Sequence, residues 1–267
     1  MKESRNKINV ITKVVISLGI ALAISFFIFS LIGKSNSIPT DTQLHEKLNE
    51  SSPKKQEIPD GKPVGKVVYL TFDDGPTALT SQFLEVLKEQ NIKATFFMIG
   101  GNLQNTNYQE NVKRAVIEGH YIGAHSMSHN SDKLYKKGQF VSEMKETLAL
   151  IHDITGTNPK LVRPPYGSAP GLKSKEIRNQ IAKSDIRVWD WTIDSRDWEL
   201  KDNPNQIIEN VKRQTTEDVE VVLMHEKSQT LQALPEIIKF YKEQGYKFGV
   251  YNDANHFYLN FQKDHRI

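Results

Sequence analysis

Val67-Val68-Tyr69-Leu70-Thr71-Phe72-Asp73-Asp74-Gly75-Pro76 is the stretch around which the chain is organised. An apolar, β-branched and aromatic run stops on two adjacent carboxylates, and a Gly-Pro pair follows. The run reads as a buried strand, ended at its carboxyl edge by the breaker. Neighbouring side chains on a regular strand point to opposite faces, so one acid would be buried alone. At a strand end that is already turning, both can face one cleft. There they repel unless a cation or an arginine separates their roles. We expect a metal on one and an arginine on the other. A plain Asp-Gly turn capping a strand would use the same residues, so the choice rests on what the rest of the chain supplies.

Beyond this stretch the pattern alternates. Strands are predicted over 66–72, 94–99, 121–124, 160–163, 186–191, 219–224 and 247–250. Helices are predicted over 80–90, 108–118, 139–155, 173–183, 204–215 and 230–244. Phe83, Leu84, Val86 and Leu87 repeat at helical spacing, as do Ile237, Ile238 and Tyr241. Asn91 and Gly245 fall where helices should stop. This alternation predicts one α/β domain over 66–255 with about seven mostly parallel strands, followed by a tail over 256–267. Alternation does not choose between a barrel and an open sheet. Both place reactive residues at the carboxyl ends of the strands.

Of the 267 residues, 38% are apolar and 25% charged, the balance of a globular body with something attached. The attachment is amino-terminal. Residues 14–33 carry no charge and have the length of a helix crossing a bilayer. The arm over 1–13 holds Lys2, Arg5, Lys7 and Lys13 against Glu3. Positive residues stay cytoplasmic, so a single-pass membrane protein with its body outside is expected. A cleaved signal peptide is the alternative, though its apolar core would be about 7–15 residues. Residues 34–65, rich in Ser, Pro, Lys, Glu and Gln, read as a polar spacer. The arm accounts for the whole formal charge of +3, leaving the remainder balanced and without a basic face for nucleic acid. There is no cysteine, which excludes disulfides, thiolate zinc sites, a lipidated cysteine and a cysteine nucleophile. Any metal must therefore sit on His, Asp or Glu.

The remaining strand ends carry reactive residues. After 121–124 comes His125-Ser126-Met127-Ser128-His129, two imidazoles four apart, placed on one face of a helical turn. Two exposed loop histidines would look the same, but Asp74 offers a third, oxygen ligand. Two His and one carboxylate with open positions suit zinc or a similar divalent ion. After 160–163 comes Arg163-Pro164-Pro165-Tyr166-Gly167, whose prolines stiffen the backbone beyond an arginine fork made for a carboxylate. After 186–191 comes Asp194-Ser195-Arg196-Asp197-Trp198. Trp189, Trp191 and Trp198 are the chain's three tryptophans; Trp189 is expected in the core, and an exposed one would suit a sugar face. His225 ends the strand over 219–224, at the mouth shared with the metal, which favours a general acid. His45, His120, His152, His256 and His265 have no such setting.

Together these residues resemble the polysaccharide deacetylases, the NodB-like group of carbohydrate esterase family 4. The motifs are TFDDG at 71–75, H-S-x-x-H at 125–129, R-P-P-Y-G at 163–167, D-x-x-D-W at 194–198 and L-x-H at 223–225, in that order. The resemblance covers about 66–251. It implies a distorted (β/α) barrel that removes N-acetyl groups from sugar polymers with one divalent ion, zinc or alternatively cobalt. By position, Asp74, His125 and His129 would hold the metal and Asp73 would be the base, steadied by Arg163. His225 would be the acid, oriented by Asp194. The backbone N–H of Tyr166 would face the oxyanion, and Trp198 and Leu223 would line the acetyl pocket. Glu226, where an Asp often follows the histidine, is a departure that bears only on local hydrogen bonding. The expected protein is a monomeric, membrane-anchored deacetylase of an extracellular N-acetylated polysaccharide, with peptidoglycan N-acetylglucosamine as substrate. Chitin or exopolysaccharide deacetylation and O-acetyl esterase activity on xylan are the alternatives. A catalytically silent wall-binding module is the non-enzymatic one.

Overall fold

The computed structural model describes residues 61–267. The basic arm, the apolar segment 14–33 and the spacer up to residue 60 lie outside the described residues. Among those described, no helix is long and apolar enough to cross a membrane.

Eight strands, all paired in parallel, alternate with helices: β1 (Val67–Gly75), β2 (Thr95–Met98), β3 (Tyr121–Ala124), β4 (Leu161–Val162), β5 (Arg187–Val188), β6 (Ile193–Asp194), β7 (Val219–His225) and β8 (Lys247–Gly249). The longer helices are α1 (Thr80–Glu89), α2 (Thr106–Ile117), α3 (Phe140–Thr155), α4 (Lys175–Ala182), α5 (Pro204–Gln214) and α6 (Ser228–Glu243). Local chemistry sets their ends. Asn203 caps α5 by accepting from Gln206 N–H, with Pro204 in the first turn, and Ser174 caps α4 through Ile177 N–H.

The sheet runs β5-β4-β3-β2-β1-β7-β6, with β8 against the first half of β1. Period-two alternation sorts each strand between two cores. Val68, Leu70, Phe72, Phe96, Val162, Val188 and Val222 face the helices. Tyr69, Phe97, Leu161, Trp189 and Val221 face inward, onto Tyr251 and Phe257. Strands buried on both faces must be apolar throughout, so they read as continuous runs. The inner row is also what aims the chemistry. Thr71 and Asp73 follow Tyr69 up β1, and Arg163 follows Leu161, so these polar groups sit above an aromatic floor.

Two expectations over the last third need correcting. The single strand predicted over 186–191 shrinks to β5 on β4, and a further short strand beyond it, β6 on β7, follows after residues 189–192. The ends of the sheet are thus joined by four residues of chain rather than by a ladder. Trp189 bridges Leu259 at this seam, and Asp190 N–H donates to Leu259 O at 2.7 Å. The segment 256–267, expected as a tail, therefore packs onto the domain, burying Phe257, Asn260 and Ile267.

Candidate active site

At the carboxyl end of β1 the pairing with β2 shifts register between Asp73 and Gly75, and Asp74 adopts a left-handed φ of 67°. This bulge turns Asp74 toward the same side as Asp73. Glycine at 75 leaves room for its neighbours, since a Cβ there would push aside the Glu226 carboxylate and the Met98 sulfur. Asn102 Nδ2 holds the Asp74 carbonyl at 2.9 Å. The two carboxylates then part company. Asp73 is buried, and its Oδ1 accepts from Arg163 Nη1 at 2.9 Å. Asp74 Oδ1 instead lies 3.6 Å from His125 Nε2 and 3.5 Å from His129 Nε2.

Arg163 is wholly buried, and Phe97 stacks 4.2 Å from its guanidinium carbon. All three nitrogens are engaged: Nη1 also donates to Thr71 Oγ1 at 2.6 Å, Nε to Trp189 O at 3.2 Å and Nη2 to Asp190 O at 2.8 Å. Burial lowers its pKa, against the pull of Asp73. A cation so enclosed needs every donor satisfied.

The two histidines are not on a helical turn, as their spacing suggested. They lie in a loop where Ser126 and His129 take left-handed φ values of 65° and 50°. The turn is pinned from within by His129 N–H on Ser126 Oγ at 2.9 Å, and by Ser128 on the Glu143 carboxylate. His125 Nδ1 donates to Arg163 O at 2.8 Å; a carbonyl only accepts, so Nδ1 carries the proton and Nε2 keeps its lone pair. Burial pushes the His125 pKa down despite Asp73 and Asp74, which favours the neutral, ligating form.

These residues fit a divalent cation. Asp74 Oδ1 is buried without a hydrogen-bond partner among the described residues, and one ligand atom each from Asp74, His125 and His129 lie within 4.8 Å of one another. Three ligands each about 2 Å from one ion at tetrahedral angles stand about 3.3–3.5 Å apart. The Asp74–histidine separations of 3.6 and 3.5 Å match that spacing and are too long for hydrogen bonds.

His225 ends β7, beside Asp73 in register. The carboxylate that orients it is Asp197, not Asp194. Asp197 Oδ1 accepts from His225 Nδ1 at 2.7 Å, and Oδ2 accepts from His225 N–H at 2.7 Å and Thr230 Oγ1 at 2.5 Å. Asp194 accepts from Arg196 N–H and lines the cavity instead. The motif offers two aspartates three apart, and spacing alone does not say which turns inward past the left-handed Arg196. Burial lowers the His225 pKa, but the hydrogen bond and charge of Asp197, with Asp73 and Asp74, raise it overall. Glu226, next in sequence, is buried. Its Oε2 accepts from Thr77 N–H, Thr77 Oγ1 and Thr80 Oγ1, anchoring the loop after β1, and burial raises its pKa to about 7.

Asp73, Asp74, His125, His129, Asp194 and His225 open into one cavity of about 440 Å³, whose wall includes Tyr166, Trp191, Trp198 and Leu223. Tyr166 is 58% exposed with a left-handed φ of 66°, and Trp198 is 54% exposed. Trp189 is fully buried, as expected. Left-handed non-glycine residues at Asp74, Ser126, His129, Tyr166 and Arg196 place strain in four strand-end loops of this one mouth. Sequence reasoning missed Asp197, Trp191 and the buried Asp190; for the last, a lone acid between two tryptophans was the available signal.

The comparisons with known proteins agree with this fold. A family profile described as polysaccharide deacetylase matches residues 60–189. A peptidoglycan-N-acetylglucosamine deacetylase of Bacillus cereus is 42% identical over 99% of this chain and 100% of its own length. A peptidoglycan-N-acetylmuramic acid deacetylase of Bacillus subtilis is 36% identical over 79% of this chain and 42% of its own. Among solved structures, a polysaccharide deacetylase from Bacillus cereus superposes with a TM-score of 0.73 at 48% identity, covering 76% of this chain and 100% of that one.

Proposed function

Because the chain belongs to the polysaccharide deacetylase family and is a hydrolase of that kind, we propose that it removes N-acetyl groups from peptidoglycan N-acetylglucosamine with one divalent metal ion, zinc or alternatively cobalt. The observation that carries this reading is the setting of the acid pair: Arg163 bonded to Asp73 Oδ1, and both imidazoles gathered on Asp74 Oδ1, with His125 Nε2 also 3.7 Å from Asp73 Oδ2. The relative from Bacillus cereus named for this substrate, matched along its full length, supports the choice of sugar. The uncharged segment 14–33 behind a basic arm supports a membrane anchor with the domain outside, within reach of the wall.

Asp74, His125 and His129 would hold the ion, which when bound polarises the acetyl carbonyl and acidifies water. The rest falls to the chain's own side chains. Arg163 neutralises Asp73 Oδ1 and leaves Oδ2 to take the proton of the attacking water. The Tyr166 N–H would face the carbonyl oxygen as charge develops there, where such donors contribute most. With Nδ1 committed to Asp197, His225 has Nε2 free to protonate the departing amine. Water adds to the carbonyl, the C–N bond breaks, and acetate and a free amine leave. Trp198 and Leu223 would confine the acetyl methyl.

The test is acetate release from purified peptidoglycan, chitin oligomers and acetylated xylan, with and without a chelator. We expect chelator-sensitive release from peptidoglycan. Asp73→Asn should lose turnover but keep metal, and His125→Ala should lose both. No release from wall fragments, with good release from chitin or xylan, would overturn the substrate. Release indifferent to the chelator would overturn the metal.

A further inference from the structure

Phe261 combines a ring in water with a backbone clamped from inside the fold. The residue is 43% exposed. Its N–H nevertheless donates to Asp190 Oδ2 at 2.7 Å and to Ser168 Oγ at 3.0 Å, and both acceptors are fully buried. Asp190 also accepts from Ser168 N–H at 2.8 Å and Ser168 Oγ at 2.5 Å. Gln262 Nε2 closes the set by donating to Ser168 O at 2.8 Å. A buried carboxylate is costly unless hydrogen-bonded. The side-chain bonds of this one go to the loop after β4 and to one backbone position in the last twelve residues, fixing the two together.

The group held in place is an aromatic ring beside the cavity. Phe261 meets Trp191 edge-on, centroids 5.0 Å apart at 89°, and Trp191 is part of the cavity wall. A Cβ on Gly167 would lie 3.0 Å from Trp191 and 3.2 Å from Phe261, so the glycine lets both rings close over the turn. A cavity of about 440 Å³ is the size of a small-ligand site, not of a polymer. Neighbouring units of a polysaccharide must lie along its rim, and Phe261 continues the aromatic wall there.

We propose that Phe261, backed by Trp191, is the platform for a sugar residue adjoining the one that loses its acetyl group. The occupant is a pyranose ring, whose apolar C–H face suits a flat aromatic surface. This rests on the reading that the substrate is an N-acetylated polysaccharide. The platform selects for chain length rather than for the acetyl group.

The experiment measures kcat/KM for acetate release on N-acetylglucosamine oligomers of increasing length, using the full chain and its Phe261 variants. Wild type should gain efficiency with length. Phe261→Ala should lose about tenfold on the longest oligomer, equivalent to about 1.4 kcal/mol, mostly through KM and with the shortest unchanged. Phe261→Tyr should keep the gain. Phe261→Leu, which covers Trp191 without offering a flat face, should behave like Phe261→Ala. Equal losses on short and long oligomers, or no length gain in wild type, would overturn the platform. If wild type releases no acetate from any oligomer, the reaction proposed above is judged on purified peptidoglycan alone. The platform is then judged on binding, by tryptophan fluorescence titration with the same oligomers: weakening of long ones alone in Phe261→Ala supports it, and equal affinity overturns it.

Discussion

Replacing Asp197 with Asn keeps the shape of the side chain and removes one acceptor oxygen from a site that uses both. Three donors converge on the fully buried carboxylate: His225 Nδ1 at 2.7 Å, His225 N–H at 2.7 Å and Thr230 Oγ1 at 2.5 Å. An amide oxygen that stays with His225 N–H and Thr230 turns its NH2 against Nδ1, which must then carry a lone pair. A hydrogen bond to a charged group contributes about 1.5–3 kcal/mol, and one pKa unit is about 1.4 kcal/mol, so the His225 pKa should fall by about 1–2 units. His225 is raised above the ordinary histidine value in the native protein. Its cation therefore contributes stability that is full below about 6.5 and lost as pH rises through the native value. The acid needed by the leaving amine disappears over the same range. The alkaline limb of kcat should move acidward by about 1–2 pH units in Asp197→Asn, with about 10–100-fold lower kcat along that limb. The assay is acetate release between pH 5 and 9, read beside an NMR titration of the His225 ring. Asp194→Asn, whose carboxylate does not touch His225, should move neither. If the limb and the ring titration stay in place in Asp197→Asn, or if Asp194→Asn shifts them, the orientation of the acid described here is wrong.

Further outcomes follow from the same geometry. Arg163→Ala leaves the Asp73 charge buried without its partner and should cost about 3–5 kcal/mol in urea unfolding; a loss under about 1 kcal/mol would mean that the pair is not enclosed as described. Asp74→Asn should keep the fold and lose stoichiometric divalent metal, zinc or cobalt supplied, by atomic spectrometry, and retention of the metal would remove Asp74 from the ligand set. Glu226 has its carboxyl pKa raised to about 7, so the folded state holds that proton more tightly than the unfolded chain. Stability should therefore fall as pH rises from about 4.5 to about 7, and Glu226→Gln should flatten that slope in thermal melts. An unchanged slope would exclude Glu226 as its source.

The residues themselves reveal the alternation of strand and helix, the two-sided burial of the strands and the reactive groups at their carboxyl ends, because these are local properties. Side-chain period, breaker residues and ligand chemistry are written within a few positions of one another, and the strands over 121–124 and 219–224 fall within a residue of the observed ones. The proximity of Asp74, His125 and His129 was also expected, since a chain without cysteine leaves His, Asp and Glu as the residues to place around a cation. Tertiary structure alone decided that Asp197 and not Asp194 serves His225, that the histidine pair converges through left-handed loop residues, and that Asp190 ties the last twelve residues to the loop after β4. Each depends on how a loop turns and on which distant segment meets it. Sequence spacing carries no term for either: a single left-handed φ redirects a side chain, and a hydrogen bond across 71 residues, as between Phe261 and Asp190, leaves no local pattern.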